Sequence, residues 1–151
     1  MLKYTETEVT FAEIPDEITL CINISNCPCH CEGCHSPHLW QDIGEELDLK
    51  ALYKIINPGV TCLVFMGGDN DPKEVNRLAG VVRSMFTHVK IAWYSGRQEL
   101  AKDIDLSRFD YVKLGPYIQD LGPINLKTTN QRLYKVVDKE LIDITDKFWH
   151  D

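Results

Sequence analysis

Four cysteines fall within eight residues, Cys27-Pro28-Cys29-His30-Cys31-Glu32-Gly33-Cys34, and His35 follows directly. Thiols packed this closely hold a metal or a metal cluster in a reducing compartment, and pair as disulfides only in an oxidising one. Near neighbours such as Cys27, Cys29 and Cys31 are also awkward partners for the geometry of a disulfide. Two metal chemistries compete for the stretch. A closed zinc site takes four Cys or His ligands, usually as two well-separated pairs. His30, His35 and His38 add donors here, but the second distant pair is missing. A 4Fe–4S cluster instead takes thiolates at short spacings along one loop. The spacing Cys27-x-x-x-Cys31-x-x-Cys34 supplies three of them. Three ligands for four irons leave one iron open and therefore reactive. Cys29 falls outside the triplet and reads as a spectator thiol, with protection of the cluster or competition for an iron as alternatives.

Two further stretches place polar groups where a ligand can use them. In Gly67-Gly68-Asp69 the glycines let backbone approach a ligand, and the carboxylate can accept hydrogen bonds from an ammonium group. Ser95, within Tyr94-Ser95-Gly96, offers a hydroxyl donor. An ordinary turn is the alternative reading of both.

The elements that carry these residues alternate between strand and helix. Ile18, Leu20, Ile22 and Ile24 alternate with Thr19, Cys21 and Asn23, a strand pattern that runs into the cysteine stretch. Asp48 caps a helix carrying Leu49, Leu52, Tyr53 and Ile56, which Asn57-Pro58-Gly59 closes. The apolar run from Val60 to Met66 predicts a buried strand ending at Gly67. Asp71, Pro72 and Glu74 start a second helix whose stripe is Val75, Leu78, Ala79, Val82 and Met85. A strand from Val89 to Tyr94, a short helical stretch from Glu99 to Ile104, and a strand from Tyr111 to Leu114 follow. This alternation predicts a parallel sheet carrying helices, with the Cys-rich and Gly-rich loops at the C-terminal ends of its strands, where ligands bind. Beyond about Gly122 the pattern weakens. Arg132 to Val137 and Leu141 to Thr145 form either a hairpin turning at Asp138-Lys139 or a mobile tail.

The whole chain of 151 residues reads as one domain, 44% hydrophobic and 26% charged, with a formal net charge of −7. Such an acidic chain lacks the broad basic face of nucleic-acid binders, and no apolar run approaches a membrane span. No signal-peptide core is visible, so a cytoplasmic location is expected. Cys21 and Cys62 lie in strand-like stretches and read as small apolar fillers.

The cysteine triplet resembles the signature of the radical S-adenosylmethionine enzymes. The stretch Cys34-His35-Ser36-Pro37-His38-Leu39-Trp40 is similar to the one after the cluster in the activating proteins of anaerobic ribonucleoside-triphosphate reductase. The Gly67-Gly68-Asp69 and Tyr94-Ser95-Gly96 loops and the late Thr129-Asn130-Gln131-Arg132 match that family's layout, so the resemblance runs from about Ile18 to Arg132. It implies a partial (β/α) barrel with a parallel sheet and the cluster loop at the C-terminal end of the first core strand. It further implies a 4Fe–4S cluster on Cys27, Cys31 and Cys34, whose open iron is chelated by S-adenosyl-L-methionine. Reductive cleavage then gives a 5′-deoxyadenosyl radical that takes a hydrogen atom from a backbone glycine of the reductase catalytic subunit.

No side chain is implied to be catalytic, because cluster and cofactor carry the chemistry. By the same resemblance Gly67, Gly68 and Asp69 hold the cofactor's amino group, where relatives often carry Glu in place of Asp69. Backbone groups of Gly33 and His35, flanking Cys34, contact the adenine, and Ser95 hydrogen-bonds the cofactor. The partners implied are the reductase and an electron donor such as a flavodoxin or ferredoxin. Where the family often shows Asp-Gly, this chain has Leu114-Gly115, so no acid is assigned there. An activase of a different glycyl radical enzyme and a non-catalytic zinc-binding interaction module are the alternatives. Relatives with other clients often carry cysteine-rich inserts, and Cys21, Cys29 and Cys62 are too few and scattered for a second cluster.

Overall fold

The computed structural model describes residues 2–11, 13–25 and 41–149. Its strands are β1 (Lys3–Thr10), β2 (Thr19–Ile24), β3 (Glu45–Glu46), β4 (Cys62–Met66), β5 (Lys90–Tyr94), β6 (Tyr111–Leu114), β7 (Arg132–Val137) and β8 (Glu140–Asp143). They form one mixed sheet in the order β3-β1-β2-β4-β5-β6-β7-β8. The centre, β2-β4-β5-β6, is parallel, and the flanking pairs are antiparallel.

The three parallel pairs need three crossovers; helices serve two of them, and the third, from β5 to β6, runs through bends and a 3₁₀ turn. In α1 (Leu49–Ile55) the Asp48 carboxylate accepts from the Ala51 amide at 2.8 Å, and Leu52 and Ile55 are buried. In α2 (Pro72–Met85) the Asp71 carboxylate accepts from the Glu74 amide and Pro72 opens the first turn. Its stripe of Val75, Leu78, Ala79 and Val82 is buried, whereas Met85 ends the helix half exposed.

Both helices cover the same face of the sheet, packing on Leu20, Ile22, Leu63, Phe65, Ile91 and Trp93. Burying a side chain such as Leu63, Phe65 or Ile91 is worth roughly 1.5–3 kcal/mol relative to leaving it exposed. The opposite face carries a second cluster of Ile14, Cys62, Val64, Ala92, Tyr94, Tyr111 and Leu133, covered by Ile124, Ile144 and Phe148. Because β2 sits between these layers, Thr19 and Cys21 are as buried as the isoleucines they alternate with.

Two segments depart from expectation. β1 pairs with β2 although Tyr4 is its one buried side chain, so the backbone ladder holds it rather than an apolar face. The stretch from Glu99 to Ile104, expected as a helix, is bends and turns, and a 3₁₀ turn follows at Leu106–Arg108. Just beyond it, Asn76 Oδ1 accepts from the Asp105 amide at 2.8 Å and Asp105 caps Ser107, which ties the end of this segment to α2. β7 and β8 form a hairpin whose turn residues Asp138 and Lys139 have φ of 50° and 64°, the left-handed pair of a tight hairpin turn.

The register sets up the site. Asn23, Met66, Tyr94 and Lys113 lie side by side on neighbouring strands, so the turns that follow them line one sheet edge. The opposite edge is closed by Glu17, which accepts from Lys90 Nζ at 2.7 Å and Thr61 Oγ1 at 3.0 Å. No helix among the described residues is long and apolar enough to cross a membrane.

Candidate functional site

After Met66 the chain leaves the sheet through Gly67 (φ 109°) and Gly68 (φ 88°), both left-handed. A Cβ on Gly68 would come within 2.6 Å of Val75 Cγ2, so the seating of α2 demands glycine there as much as the backbone does. The turn is fastened by the Gly67 amide donating to the Tyr94 carbonyl at 3.1 Å and by Trp93 Nε1 donating to the Gly67 carbonyl at 2.6 Å. Trp93 is fully buried, so the turn rests on rigid core.

Asp69 is 2% exposed. A buried carboxylate has to be hydrogen-bonded to remain charged. Its Oδ1 accepts from Ser95 Oγ at 2.5 Å and its Oδ2 from the Gly96 amide at 2.8 Å. Arg97 donates through Nη2 to the Asp69 carbonyl at 2.8 Å, and its Nε lies 3.6 Å from the carboxylate. The Arg97 carbonyl accepts from the Gly115 amide at 2.7 Å. Asn130 Nδ2 donates to the Pro116 carbonyl at 3.1 Å, while Asn130 Oδ1 is buried with no partner among the described residues. One hydrogen-bonded path therefore joins the turns after β4, β5 and β6 to the approach to β7.

Of the residues singled out in the sequence, Gly67, Asp69 and Ser95 come together in this network, with Gly68 forming its turn. Sequence reasoning missed Trp93 and Arg97, and it named Gly96 and Gly115 within their loops without giving their amides a role. Arg97 had a visible signal, a cation directly after Ser95-Gly96 at a strand end; the two backbone amides had none.

Cys27, Cys29, Cys31, Gly33, Cys34 and His35 lie outside the described residues. The chain enters that segment from Ser25, and the described residues resume at Gln41. Ser25 is buried, its amide donates to the Lys3 carbonyl at 3.0 Å, and its Oγ donates to the Ile43 carbonyl at 2.5 Å. The two flanks of the cysteine segment are thus tied to each other at the sheet edge that carries Asp69 and Ser95.

The remaining cysteines do not fit a ligand role. Cys21 and Cys62 are buried on strands, and burial, reinforced by the Glu13 and Glu8 charges, pushes the Cys21 thiol up to about 12. Burial pushes Cys62 up as well. Thiols held protonated in this way are poor ligands and poor nucleophiles. Among the described residues no cluster of three or more His, Cys, Asp or Glu could hold a metal ion. The thiols left for a cluster are those of Cys27, Cys29, Cys31 and Cys34, soft donors suited to iron and sulfide.

Comparison with curated proteins and with solved structures returned no match. Residues 18–137 match a protein family described as the 4Fe–4S single cluster domain, a span that takes in the cysteine segment and the turns after β4, β5 and β6. The chain belongs to the 4Fe–4S single cluster domain family.

Proposed function

We propose that this chain is a radical S-adenosylmethionine activase. In this reading it holds a 4Fe–4S cluster on Cys27, Cys31 and Cys34, binds S-adenosyl-L-methionine beside it, and generates a glycyl radical on an anaerobic ribonucleoside-triphosphate reductase. What supports the reading is one juxtaposition: in a chain of a 4Fe–4S family, the segment with three suitably spaced thiols is tied to the sheet edge that carries the Asp69–Ser95 network.

When bound, the cluster supplies an electron and the sulfonium cofactor supplies the bond that electron breaks. The chain's own residues hold and orient. The Gly67-Gly68 turn brings backbone to the edge, and Asp69 fixes Ser95 and Arg97 at the mouth. Asn130 Oδ1 is an acceptor there for a cofactor N–H or O–H. Gly33 and His35 flank Cys34 and offer backbone groups to the adenine. The parallel strands β2, β4, β5 and β6 are read as the arc of a partial (β/α) barrel. The setting is cytoplasmic, with a flavodoxin or ferredoxin as electron donor.

Anaerobic reconstitution tests this directly. The protein should take up about four irons and four sulfides per chain, and should cleave S-adenosylmethionine when given a reductant. Cys27→Ala, Cys31→Ala and Cys34→Ala should each abolish cleavage, and Cys29→Ala should retain it. A colourless protein holding one zinc, or an inactive Cys29→Ala beside an active Cys27→Ala, sinks the assignment.

A further inference from the structure

On the helical face, away from the edge just described, a cavity of about 630 Å³ runs along α2 between the start of α1 and the 3₁₀ turn at Leu106–Arg108. Three of the chain's five arginines, Arg77, Arg83 and Arg108, line it together with Ser84 and Ser107, and no carboxylate does. Each is ion-paired to a carboxylate outside that lining, Glu74, Asp110 or Asp105, so what the groove offers is guanidinium N–H donors on a chain whose net charge is −7. Cations gathered in a concave, partly apolar wall focus their field and attract small anions from solution.

The guanidinium groups are oriented from outside the groove. Arg77 is held by Glu74, one turn back on α2. Arg83 Nη2 donates to Asp110 at 2.8 Å, which leaves its Nε–H buried with no acceptor among the described residues. Arg108 lies across the face of Gly80, where a Cβ would stand 2.8 Å from Nη1, donates to the Asn76 carbonyl at 3.0 Å, and has its Nε 3.8 Å from the Asp105 carboxylate. Each arginine carries five N–H donors in a fixed fork, so most of their donors are not used in these bonds. Half-exposed Leu49 and Met85 give the same groove an apolar side.

From these observations we propose that this groove is a binding site for a small phosphate-bearing molecule. The phosphate sits among Arg77, Arg83 and Arg108, and the apolar part of the ligand lies against Leu49 and Met85. Planar guanidinium forks match phosphate oxygens two at a time, which lysines cannot do. The volume falls within the roughly 300–1,000 Å³ of small-molecule pockets. The site is independent of the cluster reading, because none of its lining residues belongs to the Asp69 network or to the cysteine stretch of the sequence.

The test is calorimetric and NMR titration of the full-length protein with inorganic phosphate and with phenyl phosphate at low ionic strength. Both should bind, phenyl phosphate more tightly, with shifted amides confined to α2, the 3₁₀ turn and the start of α1 at Leu49. Binding should vanish near 1 M salt, where charges are screened beyond about 3 Å. Ser84→Glu puts a carboxylate into the groove from an exposed helix position and should weaken binding at least about tenfold, a loss of one charge-assisted contact. Arg77→Gln, which is tied only within its own helix, should weaken it in the same direction. No binding of either ligand overturns the proposal, as does a Ser84→Glu protein that binds like the parent. Shifts centred on Asp69 and Ser95 instead of α2 overturn it too.

Discussion

At Asp69, one carboxylate serves two turns. Asp69→Ala removes the acceptor of a buried serine hydroxyl and of the Gly96 amide together. Leaving buried donors unpaired costs about 1–3 kcal/mol, so the apo protein should lose roughly that much in urea unfolding. Ser95→Ala removes one donor and should cost less. The double variant should cost less than the sum, since both singles break the same bond. On the proposed function, reconstituted Asp69→Ala should keep its cluster and bind S-adenosylmethionine more weakly by calorimetry; affinity equal to the parent's would reduce Asp69 to a fastener of turns. The residue was legible in the sequence through its position, since Gly67-Gly68-Asp69 follows a buried strand and precedes a helix start; the same three residues elsewhere would read as an ordinary turn. Ser95 was legible as a hydroxyl donor, but its bond to Asp69 was not, since that arises from β4 and β5 lying in register, and the Gly96 amide is a group every residue carries.

The elements show where local signals suffice and where they do not. Both helices were readable from their caps, Asp48 and Asp71, because a side chain bonding an amide three residues on is a purely local event. β1 was not readable, since a strand held by its ladder leaves no apolar alternation behind. The segment around Glu99 has helix-forming residues, yet it is bends and turns, and its end is tied to α2 by the Asp105–Asn76 bond, a tertiary contact that local propensity does not encode. Two predictions belong at this scale. Ser25→Ala unties the flanks of the cysteine segment by deleting the 2.5 Å bond to the Ile43 carbonyl. It should cost about 1 kcal/mol in apo stability, the worth of an ordinary hydrogen bond, and should lower iron uptake on reconstitution; uptake equal to the parent's would free the loop from that tie. Gly80→Ala should gain less than the roughly 1 kcal/mol an exposed helical glycine usually returns, because the new methyl displaces the Arg108 guanidinium and its bond to Asn76. Thermal unfolding of the apo protein reads that difference.

For the molecule as a whole, a sheet buried on both faces gathers weak acids in its interior and makes the fold sensitive to alkali. Cys21 is raised to about 12 by burial and nearby carboxylates, Cys62 and Tyr94 are raised chiefly by burial, and Tyr111 is raised in the same direction. Each keeps its proton in the folded chain at a pH where the unfolded chain has lost it. Their contribution is therefore complete below the ordinary thiol value of 9.0 and is withdrawn as pH rises toward the folded value. Lys90, raised by its bond to Glu17, loses its contribution in the same alkaline direction. On the acid side Glu13 is raised by burial, so the folded chain takes up that proton more readily than the unfolded one and acid costs nothing at this position. By pH 11 Cys21 alone should have withdrawn about 2–3 kcal/mol, a large share of the 5–15 kcal/mol typical of a domain. Urea midpoints of the apo protein should hold between about pH 7 and 9 and fall steeply above. Cys21→Ala with Cys62→Ala should start lower at neutral pH, for the packing lost, yet decline less steeply above pH 9. A variant that tracks the parent's slope would place the alkaline sensitivity on the tyrosines instead.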